Sequence, residues 1–403
     1  MPGTVVIGAG QAGASLVARL RTKGFDGRIT LIGEEPVPPY QRPPLSKKYL
    51  LGEMEVERLY LRPESFYAET GIELLTGRTV TAIDRAAKTV IAGGQSIAYD
   101  RLALTLGAVP RRLPQSIGGT LDGVHVVRSL ADIDAMTPAF REGARVLIVG
   151  GGYIGLEAAA VAAARGLRVT LVEAAERILQ RVAARQTSDY FRALHARHGV
   201  DIREGTGIET LTGNTRVTGA RLSDGSEIAA DFVITGIGIA PATGLAEAAG
   251  LTIDNGIAVD ALGRTSDPAI WAAGDCASFP HEGGRLRLES VQNAIDMAER
   301  VADNMLGAAA PYVPQPWFWS DQYDVKLQIA GLNTGYTRVV SRPDDGTGGV
   351  SFWYYAGDRL LAVDAMNDAR AYMVGKRLID AGKSPPADAV ADPATDLKVL
   401  LRS

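Results

Sequence analysis

The sequence predicts an α/β protein that contains two similar βαβ units and, after them, a separate α+β domain. The first observation is an internal repeat, because TVVIGAGQAGASLVARLRTKG near the N-terminus recurs as RVLIVGGGYIGLEAAAVAAARG from Arg145. Each copy combines a β-branched run, a glycine-rich turn and an Ala- and Leu-rich helix, and a second strand then ends in an acid, Glu34 or Glu173. The second observation is a change of character at Trp317, where several β-like runs precede one helical run.

Length and composition narrow the class of protein. A chain of 403 residues exceeds what one hydrophobic core usually supports, so two or three domains are expected. The formal net charge of −4 argues against nucleic acid or an anionic membrane as the main partner. The single cysteine, Cys276, excludes an internal disulfide and indicates a reducing compartment. No uncharged apolar run reaches the ~18 residues of a membrane helix, and the first strand begins almost at Met1, so we expect a soluble, cytoplasmic protein without a leader.

The first glycine turn, GAGQAG, predicts a dinucleotide site. Gly8 makes the tight turn from strand to helix, Gly10 lets a pyrophosphate approach the backbone, and Gly13 lets helix and strand pack closely. The helix N-terminus supplies N–H groups and a positive dipole. Glu34 ends the next strand at the distance needed to bond a ribose hydroxyl. A glycine turn without a ligand is the alternative, and the presence of strand, helix and acid together disfavours it.

The second glycine turn, GGGYIG over residues 150–155, predicts a second nucleotide. A carboxylate at Glu173 would accept hydrogen bonds from a ribose 2′-hydroxyl and repel a 2′-phosphate, which favours NADH over NADPH. Arg177 and Arg181 follow a few residues later and could instead bind such a phosphate. We interpret both arginines as solvated charges of a helix or loop.

Two further segments predict that the first nucleotide is FAD. In AIWAAGDCA, Asp275 follows a short apolar strand, where a carboxylate could hold the polyol chain of a flavin. A solvated cap is the alternative reading of this acid. The segment LESVQN opens a helix at Val291, whose N-terminus could stabilise negative charge on the reduced flavin ring.

Over its whole length the chain resembles the FAD-dependent ferredoxin reductases of the putidaredoxin-reductase type, which have the glutathione-reductase-like fold. The resemblance is carried by the two glycine turns and by four segments, namely PYQRPPLSKKYL from Pro39, AAGDCA from Ala272, LESVQNA from Leu288 and PWFWSDQYDVKLQIAG from Pro316. The last segment is the most diagnostic, since a generic core would not produce Trp-Phe-Trp-Ser-Asp-Gln. One departure is the sequence Thr105-Leu106-Gly107, where the family usually has Ala-Thr-Gly.

The resemblance implies two Rossmann-like nucleotide-binding domains plus a C-terminal α+β domain. The predicted boundaries are 1–112 and 243–316 for a discontinuous FAD domain, 113–242 for an NAD domain and 317–403 for the C-terminal domain. Implied FAD contacts are Gly8, Gly10, Ala12, Gly13, Glu34, Arg42, Lys47, Val80, Arg128, Asp275 and Val291. Implied NAD contacts are Gly150, Gly152, Tyr153, Ile154, Gly155, Glu173 and Gly238.

The resemblance also implies an activity, that of an NADH:ferredoxin oxidoreductase. Lys47 and Glu157 would lie together beside the flavin, where the hydride arrives, and Trp319 would lie at its exposed edge. Because there is no cysteine pair to take both electrons, they would leave singly to a 2Fe–2S ferredoxin that serves a bacterial oxygenase, with a haem monooxygenase favoured. The alternative is a redox-gated FAD- and NADH-binding protein resembling apoptosis-inducing factor. A long C-terminal insertion or a strongly basic surface would support that alternative, and the sequence has neither.

The remaining candidates have simpler readings. Cys276 is interpreted as a small buried residue, because disulfide chemistry needs a partner. His195 and His198 share a helix face without an apparent third ligand, so exposed positions are expected and no metal site is predicted. Trp317 and Trp319 could be core aromatics, but their polar Ser-Asp-Gln context favours a surface beside the flavin. The candidate contacts for the ferredoxin are Trp317, Trp319, Lys376, Arg377 and Lys398.

Overall fold

The computed structural model describes residues 3–343 and 348–402. It contains two compact units, each with an α/β core, and strands and helices are numbered below in chain order. The first unit is Met1–Arg42, Met54–Val109 and Ile239–Pro316, and the second is Pro43–Glu53, Pro110–Gly238 and Trp317–Ser403. The three predicted domains group residues by the nucleotide or partner that they would bind, whereas the two units group residues by packing. The division by packing assigns residues 43–53 to the second unit.

The first unit is built on a seven-stranded sheet with the strand order β3-β2-β1-β6-β5-β4, in which β18 also pairs with β6. Its strands are β1 (Gly3–Ile7), β2 (Ile29–Ile32), β3 (Ile72–Leu75), β4 (Val80–Asp84), β5 (Thr89–Ala92), β6 (Gln95–Leu104) and β18 (Ile270–Ala272). The strands β3, β2, β1, β6 and β18 run parallel, while β4 and β5 add an antiparallel extension. The runs VVI and ITLI are buried throughout, as expected for parallel strands covered on both faces.

Helices cover this sheet, and β1, α1 and α7 share its hydrophobic core. The helices of the first unit are α1 (Gln11–Thr22), α2 (Glu64–Glu69), α6 (Gly244–Ala248) and α7 (Val291–Met305), with a short turn at Val56–Arg58. The remaining strands are β7 (Ala108–Pro110), which pairs with β16 (Ile239–Pro241), and β17 (Ile257–Ala258), β19 (Ala277–His281) and β20 (Gly284–Leu286), which form a small sheet.

The second unit repeats the βαβ theme in a five-stranded parallel sheet with the order β11-β10-β9-β15-β8. Its strands are β8 (Val124–Val126), β9 (Arg145–Val149), β10 (Arg168–Val172), β11 (Asp201–Arg203) and β15 (Phe232–Thr235). A three-stranded antiparallel sheet follows, formed by β12 (Ile208–Thr212), β13 (Gly219–Leu222) and β14 (Glu227–Ala229). The helices are α3 (Leu130–Met136), α4 (Tyr153–Ala164) and α5 (Arg185–Arg197), with short turns at Leu45–Tyr49, Gln115–Ile117 and Thr137–Ala139.

The C-terminal part of the second unit is a five-stranded antiparallel sheet with the order β21-β22-β25-β24-β23. Its strands are β21 (Trp317–Gln322), β22 (Val325–Gly331), β23 (Arg338–Arg342), β24 (Val350–Ala356) and β25 (Arg359–Met366). Residues of α8 (Ala369–Asp380) pack with the sheet in one core, and α9 (Ala387–Ala391) and a turn at Leu397–Leu401 complete it. This architecture confirms the predicted α+β character of the segment. None of the helices within the described ranges is both long and apolar enough to cross a membrane.

Candidate functional site

The first glycine turn joins β1 to α1, and its three glycines have different surroundings. Gly8 has a positive φ of 106°, and a Cβ there would lie 2.2 Å from the carbonyl oxygen of Thr105. A Cβ at Gly13 would lie 2.1 Å from the carbonyl oxygen of Gly8, so helix and turn are in close contact. A Cβ at Gly10 would meet no described atom within 4 Å. The middle glycine thus leaves space at a helix N-terminus, which is what a phosphate group needs.

The departure at Thr105 has a clear structural role in this turn. The Thr105 side chain is buried, and its hydroxyl lies 3.0 Å from the carbonyl oxygen of Ile7 and 2.8 Å from that of Gly8. Both carbonyl groups belong to the end of β1 and the start of the turn. A threonine here therefore stabilises the glycine turn rather than disrupting it.

The start of α1 also contacts two other predicted FAD segments. A Cβ at Gly274, which has a φ of 81°, would lie 3.0 Å from the Cβ of Ala12 and 3.9 Å from the Cα of Ala294. Gly274 precedes Asp275, and Ala294 lies in the first turn of α7, which begins at Val291. Residues predicted from three distant segments are therefore close together within the first unit. This arrangement fits the pyrophosphate and polyol of a bound FAD.

The acids at the end of β2 have separate partners. The Thr79 hydroxyl lies 3.5 Å from Oε1 of Glu34, which links Glu34 to the residue before Val80 in β4. Arg42 lies 2.6 Å from the carboxylate of the adjacent acid, Glu35. The structure therefore places Glu34 next to the start of β4, which begins at Val80.

The second glycine turn reproduces the geometry of the first. A Cβ at Gly150, with a φ of 106°, would lie 2.5 Å from the carbonyl oxygen of Gly236, and one at Gly155 would lie 2.0 Å from that of Gly150. A Cβ at Gly152 would meet no described atom within 4 Å. Glu173 accepts hydrogen bonds from the N–H of Gly151 at 2.7 Å and from that of Ala175 at 2.8 Å. This carboxylate is therefore fixed at the mouth of the turn, where a ribose would lie.

The two arginines beyond Glu173 differ from each other. Arg177 is partly buried and donates hydrogen bonds to the Ser188 hydroxyl and, at 2.9 Å, to the carbonyl oxygen of Ala183. Its interpretation as a solvated charge was wrong, because it ties the loop after β10 to α5. Arg181 is exposed, and its guanidinium lies 3.4 Å from the position of a Cβ at Gly238.

A charged pair lies at the first half of α4. Nζ of Lys47 lies 3.1 Å from Oε1 of Glu157 and 3.3 Å from Oδ2 of Asp321. Lys47 lies in the short helical turn Leu45–Tyr49. The backbone dihedral angles at Lys47, φ −128° and ψ −110°, are not helical. Residues that the sequence predicted to lie together are thus in contact within the second unit.

Glu157 is only 5% exposed, and its surroundings act on its pKa in opposite directions. Burial raises the pKa of the Glu157 carboxyl, while the Lys47 ammonium and a 2.7 Å hydrogen bond from the Ser320 hydroxyl lower it. The Ser46 hydroxyl lies 3.4 Å from the other carboxylate oxygen. A buried anion held by a cation and hydroxyl donors can orient the amide group of a nucleotide ligand.

Side chains of β21 alternate between its two faces. Trp317 and Trp319 lie on one face, half-buried, with ring centroids 5.5 Å apart. Ser320 and Gln322 lie on the other face and are fully buried. Sequence reasoning missed the latter two, although their period-two spacing within WFWSDQ was the available signal.

Two predictions about single residues have clear outcomes. Cys276 is fully buried, and burial raises its pKa to about 11, which confirms the reading as an inert small residue. The prediction that His195 is exposed was wrong, because the ring is fully buried against β21, whereas His198 is exposed as expected. His195 bonds to Gln322 and Tyr323, and Tyr323 also stacks on His198.

The basic residues proposed for a partner surface lie on α8 and on the C-terminal turn at Leu397–Leu401. Lys376 is ion-paired with Asp380 at 2.6 Å, one helical turn away. Arg377 and Lys398 are exposed, as are the apolar side chains of Met373 and Val399.

Two glycine turns, each with an open middle glycine and an acid at the next strand end, define a class of protein, the dinucleotide-dependent oxidoreductases with two nucleotide sites. Residues 3–298 match the pyridine nucleotide-disulphide oxidoreductase family, and residues 317–401 match the reductase C-terminal family. The chain belongs to the pyridine nucleotide-disulphide oxidoreductase family, and within it to the ferredoxin reductases with this C-terminal domain.

Several relatives are similar in sequence to this chain over nearly its whole length. A ferredoxin–NAD(P)⁺ reductase from a Sphingomonas species is 45% identical over 400 residues, covering 98% of this chain and 96% of that protein. Putidaredoxin reductase from Pseudomonas putida is 40% identical over 405 residues, covering 98% of this chain and 96% of that protein. The crystal structure of a covalent putidaredoxin reductase–putidaredoxin complex matches with a TM-score of 0.95 and 39% identity, covering 100% of this chain and 98% of that one. These findings confirm the predicted family and the predicted fold.

Proposed function

We propose that this chain is an FAD-containing NADH:ferredoxin oxidoreductase that supplies electrons, one at a time, to a 2Fe–2S ferredoxin of a bacterial oxygenase system. The observation that carries the proposal is the combination of two nucleotide turns with a single cysteine. Family members that reduce disulphides need a pair of thiols, and this chain has only Cys276, which is buried. Electrons must therefore leave to an external acceptor, and relatives over the whole length are named ferredoxin reductases.

The FAD supplies the redox chemistry, since a bound flavin accepts a hydride from NADH and can release its electrons singly. The residues of the first unit bind and orient it. Gly10 leaves room for the pyrophosphate at the start of α1, and Glu34 and Asp275 offer carboxylates to the ribose and the polyol. The N-terminus of α7 at Val291 would offer N–H groups and a positive dipole to the flavin ring. Ala12, Arg42 and Val80 complete the FAD contacts proposed for this unit, and Lys47 and Arg128 of the second unit are proposed as FAD contacts from the family resemblance alone.

The residues of the second unit select and orient NADH. Gly152 leaves space for the pyrophosphate at the start of α4, with Tyr153, Ile154 and Gly238 as further contacts. Glu173, held by two backbone N–H groups, remains an acceptor for the ribose 2′-hydroxyl and an electrostatic barrier to a 2′-phosphate. Glu157, paired with Lys47, orients the nicotinamide amide for hydride transfer.

The partner surface is proposed from exposure and charge. Trp317 and Trp319 present half-buried aromatic rings, and Arg377 and Lys398 present exposed cations. Lys376 contributes less steering, because Asp380 neutralises it. An acidic ferredoxin fits such a surface. We also propose the three functional domains with the boundaries given above, and a cytoplasmic location, which suits a single reduced thiol and NADH as the electron donor.

Matched glycine variants test whether the two turns hold two different nucleotides. Gly10→Val should fold, since its Cβ meets open space, and should be purified without FAD. Gly152→Val should retain FAD and lose affinity for NADH. Gly155→Ala is the control for packing, because its Cβ would clash with the backbone and should lower the melting temperature. The proposal fails if Gly152→Val loses FAD, or if Gly10→Val keeps FAD and loses only NADH.

A further inference from the structure

A continuous chain of hydrogen bonds runs inside the second unit from His195 to Glu157. Nε2 of His195 lies 2.8 Å from Oε1 of Gln322, and Nε2 of Gln322 lies 3.2 Å from Oγ of Ser320. The Ser320 hydroxyl then lies 2.7 Å from Oε1 of Glu157. All four side chains are at most 5% exposed, so water does not compete for these bonds.

The orientation of the Gln322 amide gives the chain its direction. With the Gln322 amide oxygen facing His195, Nε2 of the imidazole carries the proton and donates it. Burial lowers the pKa of His195 to about 4, and the neutral ring therefore has one donor and one acceptor. The acceptor, Nδ1, lies 3.1 Å from the hydroxyl of Tyr323, which can donate to it. His195, Gln322 and Ser320 therefore each accept a hydrogen bond from the Tyr323 side of the chain and donate one toward Glu157.

The opposite tautomer would reverse the chain. With the proton on Nδ1, Nε2 of His195 becomes an acceptor, and the Gln322 amide must turn over to donate to it. The amide oxygen would then face Ser320 and compete for its only hydroxyl proton. Glu157 would then keep Lys47 and Ser46 but lose the Ser320 donor while staying buried, and the loss of a hydrogen bond to a buried carboxylate costs free energy.

We propose that His195 is a positioning residue that keeps the Ser320 hydroxyl proton directed at the Glu157 carboxylate. The inference rests on the proposed function only in giving Glu157 a role with the nicotinamide. The charges that face Glu157 are Lys47, which favours its anionic form, and Asp321, which opposes it. The ring of His195 faces Gln322, Tyr323 and the neighbouring His198. His195 thereby acts on the charge of Glu157 through two other side chains without touching a substrate.

The test measures the titration of Glu157 itself in the oxidised, FAD-loaded protein. The infrared band of its protonated carboxyl is identified by its absence in Glu157→Gln, and its midpoint is followed against pH. Gln322→Met keeps the side-chain length and removes both hydrogen bonds, so the midpoint should rise by about one pH unit, the size expected for one hydrogen bond to a charged group. Tyr323→Phe removes only the hydroxyl that donates to Nδ1 of His195 and so favours this tautomer, and it should shift the midpoint in the same direction by a smaller amount.

His198→Gln is the matched control, a histidine three residues along the same helix and outside the chain, and it should leave the midpoint unchanged. An unchanged midpoint in Tyr323→Phe would overturn the proposed role of His195, since Gln322→Met acts on Ser320 directly, and unchanged midpoints in both variants would overturn the whole chain. The rate of flavin reduction by NADH, measured on the same variants, should fall most at low pH. A shifted midpoint with an unchanged rate at every pH would support the chain and contradict the proposed role of Glu157 with the nicotinamide.

Discussion

The ammonium group of Lys47 lies 3.1 Å from the carboxylate of Glu157, although the two residues come from separate segments of the second unit. Lys47 stands in a kinked turn outside the βαβ unit, and Glu157 stands in α4, directly behind the second glycine turn. The pair thus connects α4, the helix behind the second glycine turn, to the segment PYQRPPLSKKYL, which carries part of the family resemblance. A buried ion pair is a weak source of stability, so a role in positioning a ligand is the better explanation.

Removing this carboxylate should slow hydride transfer without loss of FAD. Glu157→Ala removes the proposed acceptor of the nicotinamide amide. We therefore expect the rate of flavin reduction by NADH to fall at least tenfold in stopped-flow measurements, the size of one charged hydrogen bond. Glu227→Ala, an exposed acid on β14, is the control and should behave as the wild type. An unchanged rate, or purification of Glu157→Ala without FAD, would contradict the assignment.

Coenzyme choice should depend on Glu173. Its carboxylate is fixed by the N–H groups of Gly151 and Ala175, so a 2′-phosphate meets a negative charge that cannot turn away. We expect kcat/KM to favour NADH over NADPH by a factor of about ten or more, because one charged hydrogen bond plus repulsion exceeds ~1.4 kcal/mol. Glu173→Gln should reduce this ratio, while Glu176→Gln, an exposed neighbour, should not. Equal values for the two coenzymes in the wild type would show that the second turn has been misread.

Electron exit should depend on charge at the proposed partner surface. Lys398→Glu should raise the KM for ferredoxin several-fold and weaken its salt dependence, because encounter with an acidic partner becomes slower. Lys376→Glu should act in the same direction, although Asp380 already neutralises this lysine. Trp319→Ala should weaken docking or electron transfer through loss of a large aromatic contact.

Small acceptors provide the control for these three variants. Reduction of ferricyanide by NADH should stay normal in each, since a small acceptor needs no docking surface. Lys88→Glu makes the same charge change at an exposed turn of the first unit and should leave the KM for ferredoxin unchanged. Loss of ferricyanide activity in Trp319→Ala would show that Trp319 is a core residue. A rate of ferredoxin reduction that does not depend on salt would contradict electrostatic steering of the ferredoxin.

The C-terminal sheet contains a buried acid that should make stability depend on pH. Asp364 is fully buried and accepts hydrogen bonds from Thr187, at 2.7 Å, and from Tyr354, while its other oxygen has no hydrogen-bond partner among the described residues. Burial raises the pKa of Asp364 from 3.8 to about 6. Because the folded-state pKa is the higher one, its contribution to stability is complete below pH 4 and is lost as pH rises through 6.

The free energy of unfolding of the wild type should therefore fall relative to that of Asp364→Asn as pH rises from 4 to 7. The difference between the two proteins should change by about 3 kcal/mol over this range. The free energy of unfolding from denaturant titrations at both pH values measures this difference. Asp358→Asn, in the exposed turn between β24 and β25, is the matched control. The same pH dependence in the wild type and in Asp364→Asn would rule out this account of Asp364.

Features set by local sequence were predictable. The three glycines of each turn have distinct roles that follow from the backbone around them, and the structure shows the same two contacts and the same open position in both turns. The Ala- and Leu-rich helix predicted after the second glycine turn corresponds to α4 at Tyr153–Ala164. Trp317 was recognised as the start of a new domain, and β21 begins there. In each case the information lies within a few residues of the feature.

Contacts between distant segments were predicted only where the family resemblance covers them, as for Lys47 and Glu157, and the others were missed. His195 reads as an exposed residue near a helix end, and it is buried only because β21, more than a hundred residues later, packs against it. Arg177 looks like a surface charge until α5 supplies its hydrogen-bond partner, Ser188. Asp364 sits in an apolar strand, where sequence gives no sign that Thr187 will reach it.

The most direct test of the central claim is an anaerobic assay of the FAD-loaded protein with NADH and a panel of 2Fe–2S ferredoxins. A hydride carries two electrons and each cluster accepts one, so we predict that two ferredoxin molecules are reduced for each NADH oxidised, at a rate well above that of free FAD with NADH. NADPH at the same concentration should support a slower rate. Reduction of the bound FAD by NADH without faster reduction of any ferredoxin in the panel would contradict the account.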